Sequence, residues 1–186
     1  MYSDLTGKVL IAMPSLGEGH FERSVILICA HDDEYAMGIV LNKPVPGLTL
    51  PELLEQLDID VLPEMPDGFV LEGGPVRHDR GFVLHSGDFH CEGATLDIGN
   101  DCHMTATRDV LDAIASTTPP EKAVLALGYS GWGPGQLENE LVENAWLVGE
   151  MDNEMIYGAT HDGKWTHALA VIGVESGRLQ AAPGRA

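Results

Sequence analysis

Gly128-Tyr129-Ser130-Gly131 sets a serine among small residues, after the apolar run AVLALGY and ahead of the helix-like QLENELV. A serine in a strand-to-helix turn is the arrangement of a nucleophile elbow, where small flanking residues permit a strained backbone. That pattern requires G-x-S-x-G, and Trp132 stands where its last glycine belongs. An acid and an imidazole would have to come from residues such as Asp152, His161, Asp162 or His167. Hydrolysis through Ser130 is therefore an alternative reading, and a plain turn serine is the simpler one. No catalytic residue is assigned.

The same stretch could hold a phosphate. Gly131, Gly133 and Gly135 fit neither G-x-x-x-x-G-K-[ST] nor G-x-G-x-x-G, because Gln136 and Glu138 fall where later glycines belong. Helix-start amides attract anions, but Glu138 and Glu140 compete with any anion there. Asp88, His90, Cys91, Cys102 and His103 are metal-ligand types within a short span. Structural zinc sites need closely spaced ligand pairs aimed by one turn, which the gap from Cys91 to Cys102 does not supply. A polar loop is expected, with no metal and no cofactor. His31, followed by Asp32, Asp33 and Glu34, reads as a solvated turn. A redox role for Cys91 and Cys102 would need a lowered thiol pKa, and acidic neighbours oppose it.

Composition sets the frame for these groups. The chain has 186 residues, 44% of them hydrophobic, which is enough for one globular domain with a substantial core. Ten basic against 29 acidic residues give a net charge of −19. Phosphate contacts from Lys and Arg supply most nucleic-acid affinity, so direct nucleic-acid binding is disfavoured; a protein partner or a small ligand is not. No apolar run approaches the roughly 18 residues of a membrane span. The start, MYSDLTGKVLIAM, lacks a basic region before an apolar stretch, so a cytoplasmic location is expected. Three unpaired-looking cysteines agree with a reducing compartment. Cys29 inside VILICA reads as a core residue, whereas Cys91 and Cys102 read as more exposed.

The positioning elements follow from periodicity. KVLIAM (8–13) and VILICA (25–30) read as buried strands, and VILICA and MGIVLNKPV pair as a hairpin stopped by Pro44 and Pro46. Leu50, Leu53, Leu54 and Leu57 form one helical stripe, begun by a Thr49/Glu52 capping box with Pro51 tolerated in the first turn. FVLEGGPV (69–76) and GFVLHSG (81–87) flank a short polar link and suggest a second strand pair. ATLDIG is a possible short strand, and HMTATRDVLDAIAS runs from a strand into a helix capped by Thr107. The strand AVLALGY is expected to end at Tyr129, with a turn over Gly131–Gly133 and a helix from Pro134 carrying Leu137 and Leu141. AWLVGE reads as a strand, Trp165, Ala168, Leu169 and Ile172 as a last helix, and about 176–186 as a surface tail. Consecutive paired strands with three or four scattered helices predict a single α+β domain over 1–186, on a mostly antiparallel sheet.

MPSLGEGHFERSVILICAHDDEYAMGIVLNKPV, LTLPELLEQL, LEGGPVRHDRGFVLHSG, TATRDVL and ALGYSGWGPGQLENELVENAWLV resemble, in order, the segments of the YqgE/AlgH family of bacterial proteins. The GGPV-x3-RGFVLHS and GW-x-PGQL-x-x-E combinations are the specific part, and the likeness extends through KWTHALAVIGV to the terminal GRA. The resemblance implies an α+β fold with a bulged antiparallel sheet. Family members are commonly labelled transcriptional regulators, with no reaction, cofactor or ligand established. Net charge favours an indirect regulatory role through a partner or ligand over direct action on DNA. The chain departs from the family pattern in GEGHFERS, which lacks the Asp-containing loop common before F-x-R-S, and at Tyr35, where glycine is usual.

Mapped onto this chain, the family's signature comprises Asn42, Pro44, Gly73, Gly74, Pro75, Arg80, Gly81, His85, Gly128, Gly131, Trp132, Gly135, Gln136 and Glu138. Asn42, Gly73, Gly74, Arg80, His85, Trp132 and Gln136 are the candidate ligand-binding residues, suited to a small anionic or polar molecule. The competing reading gives the glycines and prolines to turns, Trp132 to the core edge, and Arg80 to an ion pair with Glu72 or Glu138.

Overall fold

A computed structural model of the protein describes residues 4–17 and 19–179. Among these residues ten strands form one sheet: β1 (Lys8–Ala12), β2 (Val25–His31), β3 (Ala36–Val40), β4 (Pro44–Thr49), β5 (Phe69–Glu72), β6 (Val76–His85), β7 (Thr95–Gly99), β8 (Cys102–Thr105), β9 (Ala123–Trp132) and β10 (Trp146–Glu150). Five α-helices accompany them, α1 (Leu50–Gln56), α2 (Arg108–Ile114), α3 (Gln136–Val142), α4 (Asn153–Tyr157) and α5 (His161–Val171), one more than the expected three or four. The extra one is α4, a five-residue helix too short to leave a periodic signal, capped by Asp152 onto the Met155 N–H at 2.8 Å.

The main path runs β10-β1-β2-β3-β9-β6-β8-β7, and all its pairings are antiparallel. Bulges interrupt β2–β3, β6–β9 and β7–β8, so the sheet is bulged as expected. The run VILICA reads as continuously apolar because β2 is covered on both faces. Val25, Leu27 and Cys29 pack with the Trp165 side of α5, and Ile26 and Ile28 pack with Trp132, Leu137 and Trp146. A third cluster seats α1 and α2 beneath Val70, Val83 and Leu125. The α1 capping box forms as expected: Thr49 Oγ1 accepts from the Glu52 N–H, and the Thr49 N–H donates to the Glu52 carboxylate.

Several expectations need correction. The hairpin's second strand stops at Val40, and Pro44–Thr49 is a separate strand on β5; an edge position tolerates the prolines that a central strand would not. β5 and β6 are not partners. Both flank β9, which pairs parallel to β5 at Val70–Leu125 and antiparallel to β6 at Phe82–Ala126. β9 does not end at Tyr129 but continues through Trp132, because β3 supplies its partner there, Gly38 opposite Ser130 and Ala36 opposite Trp132. Cys102 is buried beside Ile98, and burial pushes its thiol up to about 11. Of the expected tail, Ser176–Arg178 is a short 3-10 turn; residues 180–186 lie outside the described residues, as do residues 1–3 of the start.

A short link must carry the chain from β5 across β9 to β6. Gly73, Gly74 and Pro75 do this by lying directly on the β9 backbone. A Cβ on Gly73 would sit 2.3 Å from the Gly128 carbonyl oxygen, and one on Gly74 would sit 2.2 Å from the Tyr129 carbonyl carbon. The absence of a Cβ at both positions is what lets the two main chains cross so closely. The Gly73 N–H donates to Leu127 O at 2.8 Å, and the Gly73 carbonyl accepts from the Val40 N–H at 2.9 Å. The crossing is thus sewn to two strands, β9 and β3, at once.

Candidate functional site

Above the crossing lies a cleft of about 440 Å3, walled by Phe21, Val40, Lys43, Glu72, Gly74 and Pro75, with Gly19 and His20 at its mouth. Its floor is the Gly-Gly crossing. One wall is the β3–β4 connection that carries Lys43, and the other is the loop ahead of β2. Lys43 reaches over to donate from Nζ to the Glu22 carbonyl at 2.6 Å, tying that loop down. An ammonium has three donors, so two remain for a ligand. Beside Lys43, Glu72 donates its N–H to the Lys43 carbonyl at 2.7 Å, and its Oε1 has His20 Nδ1 at 3.8 Å and His78 Nε2 at 3.9 Å, both on exposed side chains. Among the described residues Lys43 and Glu72 form no ion pair with each other. Opposite charges, an aromatic wall and a main chain held by glycine are the components of a small-molecule site.

The seven residues singled out by sequence do not converge on this cleft. Gly74 lines it and Gly73 lies beneath it. Asn42 precedes Lys43 and clamps the neighbouring chain: Oδ1 accepts from the Val25 N–H at 3.0 Å, and Nδ2 donates to the Arg23 carbonyl at 2.7 Å. Arg80 lines a separate depression of about 400 Å3 with Leu53, Leu57 and Leu127. Its guanidinium stands 5.6 Å from the Phe82 ring centre, paired with neither Glu72 nor Glu138.

Trp132 is buried and donates from Nε1 to Glu140 Oε2 at 2.9 Å. Gln136 closes the turn by accepting the Gly133 N–H at 3.1 Å, and it donates to Glu140 Oε1 at 3.0 Å. Ser130 is fully buried in β9 and donates to the Gly73 carbonyl at 3.3 Å, so no elbow presents it to a substrate.

His85 is also interior, in a relay whose protons can be placed. Its Nδ1 faces the Ser86 carbonyl at 2.9 Å and so carries the hydrogen; Nε2 then accepts from the Thr105 hydroxyl at 2.8 Å. The Thr105 oxygen meets Thr95 Oγ1 at 2.8 Å, which in turn takes the Cys91 N–H at 2.9 Å. The arrangement suits a neutral imidazole, and burial lowers the His85 pKa. The unfolded chain therefore takes a proton near pH 6.5 that the folded chain refuses. Stability should be fully present above that pH and decline as pH falls below it. Urea unfolding from pH 7.5 to 5 should show a steeper acid loss in the wild type than in His85→Gln; equal slopes would remove His85 as the cause.

His31 is likewise not a solvated turn residue. Its side chain is buried, Nδ1 accepts the Leu5 N–H at 3.0 Å, and Nε2 donates to Glu138 Oε1 at 2.7 Å. That bond holds the Glu138 carboxyl below its ordinary range. Among the described residues no group of three or more His, Cys, Asp or Glu is arranged to hold a metal ion. Asp88 is engaged by Ser86 Oγ at 2.6 Å and by the Glu121 N–H at 2.8 Å. Lys43, Glu72 and His20 were missed by sequence reading. Lys43 and Glu72 each adjoin a signature residue, which is the one signal that pointed to them.

These features define a single-domain α+β protein on a bulged, mostly antiparallel sheet, with a mixed-charge cleft where one main chain crosses another. The AlgH-like family matches residues 9–177, and the chain belongs to that family. A UPF0301 protein of Caulobacter vibrioides is 48% identical over 183 residues, covering 98% of this chain and 94% of that one. A UPF0301 protein of Bradyrhizobium diazoefficiens is 50% identical over 189 residues, covering 98% of this chain and 88% of its own. The solution structure of the AlgH protein from Pseudomonas aeruginosa matches with a TM-score of 0.78 at 40% identity, covering 100% of this chain and 98% of that one. A crystal structure from Corynebacterium diphtheriae, with a TM-score of 0.64 at 20% identity over 85% of this chain and 81% of that one, shares the fold. Among the described residues no helix is long and apolar enough to cross a membrane.

Proposed function

We propose that the protein is a non-enzymatic, cytoplasmic binding protein whose cleft above the Gly73–Pro75 crossing takes a small polar ligand carrying both charges. Its regulatory consequence is indirect, through a protein partner that senses the occupied cleft. The observation that carries this reading is the presence of Lys43 and Glu72, side by side and of opposite charge, in the lining of a cleft built on a main-chain crossing. Lys43 takes the anionic end of the ligand and Glu72 the cationic end, while Phe21 and Pro75 cover its apolar part. An amino acid or dipeptide has this chemistry. Direct action on DNA is opposed by the net charge of −19, and a low-salt gel shift should show no retardation.

Titration calorimetry with amino acids and dipeptides should detect saturable binding. Lys43→Ala and Glu72→Gln should each weaken it by roughly tenfold, since each removes one charge-assisted contact. Binding that is indifferent to both substitutions would place the ligand elsewhere; no binding across the panel would end the reading.

A further inference from the structure

On the other side of the loop ahead of β2 lies a second cleft, of about 510 Å3, with Met13, Glu22, Arg23, Trp165, Thr166 and Ser176 among its walls. Arg23 is the residue the fold builds there most deliberately. Its guanidinium carbon stands 5.2 Å from the Trp165 ring centre. The ring is itself fixed, because Nε1 donates to the Ala12 carbonyl at 2.9 Å and Trp165 is buried against α5's neighbours. The Arg23 backbone adopts φ +48°, a left-handed conformation that few non-glycine residues take. Two anchors hold it there: Asn42 Nδ2 on the Arg23 carbonyl at 2.7 Å, and Ser24 Oγ on the Phe21 carbonyl at 2.8 Å. In a chain with 29 acidic residues, Arg23 has no carboxylate partner among the described residues.

We infer that this cleft binds a small organic monocarboxylate, with Arg23, held over the Trp165 ring, receiving the carboxylate. A guanidinium held over an indole ring still has N–H groups to offer, and their fork matches a carboxylate in two bonds. The Trp165 edge and Met13 give the body of the ligand an apolar bed, and the Thr166 and Ser176 hydroxyls stand on the walls for a second polar group. Charge selects a carboxylate over a phosphate. One arginine balances one negative charge, while a dianion would leave a charge uncompensated beside Glu22 in a strongly acidic protein.

The test uses the full chain and follows the Trp165 indole N–H by NMR during titration with benzoate, hexanoate and inorganic phosphate. A saturable shift with either carboxylate, much weaker with phosphate, is expected. Arg23→Asn suits the left-handed backbone and should keep the fold while weakening carboxylate binding by roughly tenfold or more. Arg23→Lys keeps the charge without the fork and should fall between the two. No saturable shift up to roughly 20 mM, a millimolar-affinity ceiling, overturns the inference. So does phosphate binding as well as the carboxylates, or an Arg23→Asn variant that binds unchanged.

Discussion

Gly74→Ala should leave little or no folded protein, with a loss of about 4 kcal/mol or more. The added carbon would lie 2.2 Å from Tyr129 C, 2.3 Å from Tyr129 O and 2.4 Å from Ser130 N, all backbone atoms. No rotamer change relieves a clash with main chain, so either the crossing lifts or β9 leaves its partners. Lifting would break the hydrogen bonds Gly73 makes to Leu127 and Val40, and would open the floor of the first cleft. Gly81 supplies the control. It belongs to the same signature, yet a Cβ there meets nothing within 4 Å, so Gly81→Ala should stay within about 1 kcal/mol of wild type. Urea unfolding of the two variants side by side decides the matter. Equal stability would mean that the crossing tolerates a lifted chain.

Glu140→Ala should produce the second large effect, about 2–4 kcal/mol, from removing one acceptor shared by two buried indoles. Glu140 Oε2 takes the Trp132 Nε1–H at 2.9 Å and the Trp146 Nε1–H at 2.7 Å, while Oε1 takes Gln136. The two rings meet edge to face at 6.3 Å between centres. Charge-assisted bonds of this kind are the stronger class, and deleting the acceptor strands both donors at the edge of a core. Glu140 is only half-buried, so water repairs part of the loss and sets the upper end of the range. Glu140→Gln keeps an acceptor oxygen and should cost less than half as much. Unfolding midpoints followed by tryptophan fluorescence provide the measurement; if alanine and glutamine cost the same, the carboxylate is not the organising group.

Local features were legible in the sequence where the physics is local. The Thr49/Glu52 box, the hairpin of β2 and β3, and the stripe of Trp165, Ala168 and Leu169 all formed as expected, because each depends on neighbours within one turn or one loop. The family likeness was legible for a different reason: GGPV and GYSGW are the two chains of the crossing, and few residue types survive there. The crossing itself was not legible. Adjacent apolar runs separated by a polar link read as a hairpin, and nothing near residues 69–85 announces a strand from residues 123–132 between them. His31 was misread for the same cause. Its acidic neighbours Asp32 to Glu34 suggest water, while its actual partners, Leu5 and Glu138, come from distant segments. Trp132 and Gln136 turned out to share Glu140 as a partner, which a strand–turn–helix pattern brings close without marking it.

The strand laid between β5 and β6 also dictates an order of assembly. β5 can pair with β4, and β6 with β8, but neither can complete its pairing until residues 123–132 have followed it out of the ribosome. Until then the Gly73–Pro75 link spans an open slot, with two unpaired strand edges facing each other across it. Such a nascent chain would be drawn to close the slot wrongly, as a simple hairpin that must reopen before β9 can enter. Refolding should accordingly show a slow phase typical of long-range strand pairing, and the half-made chain should be a substrate for chaperones that hold exposed edges.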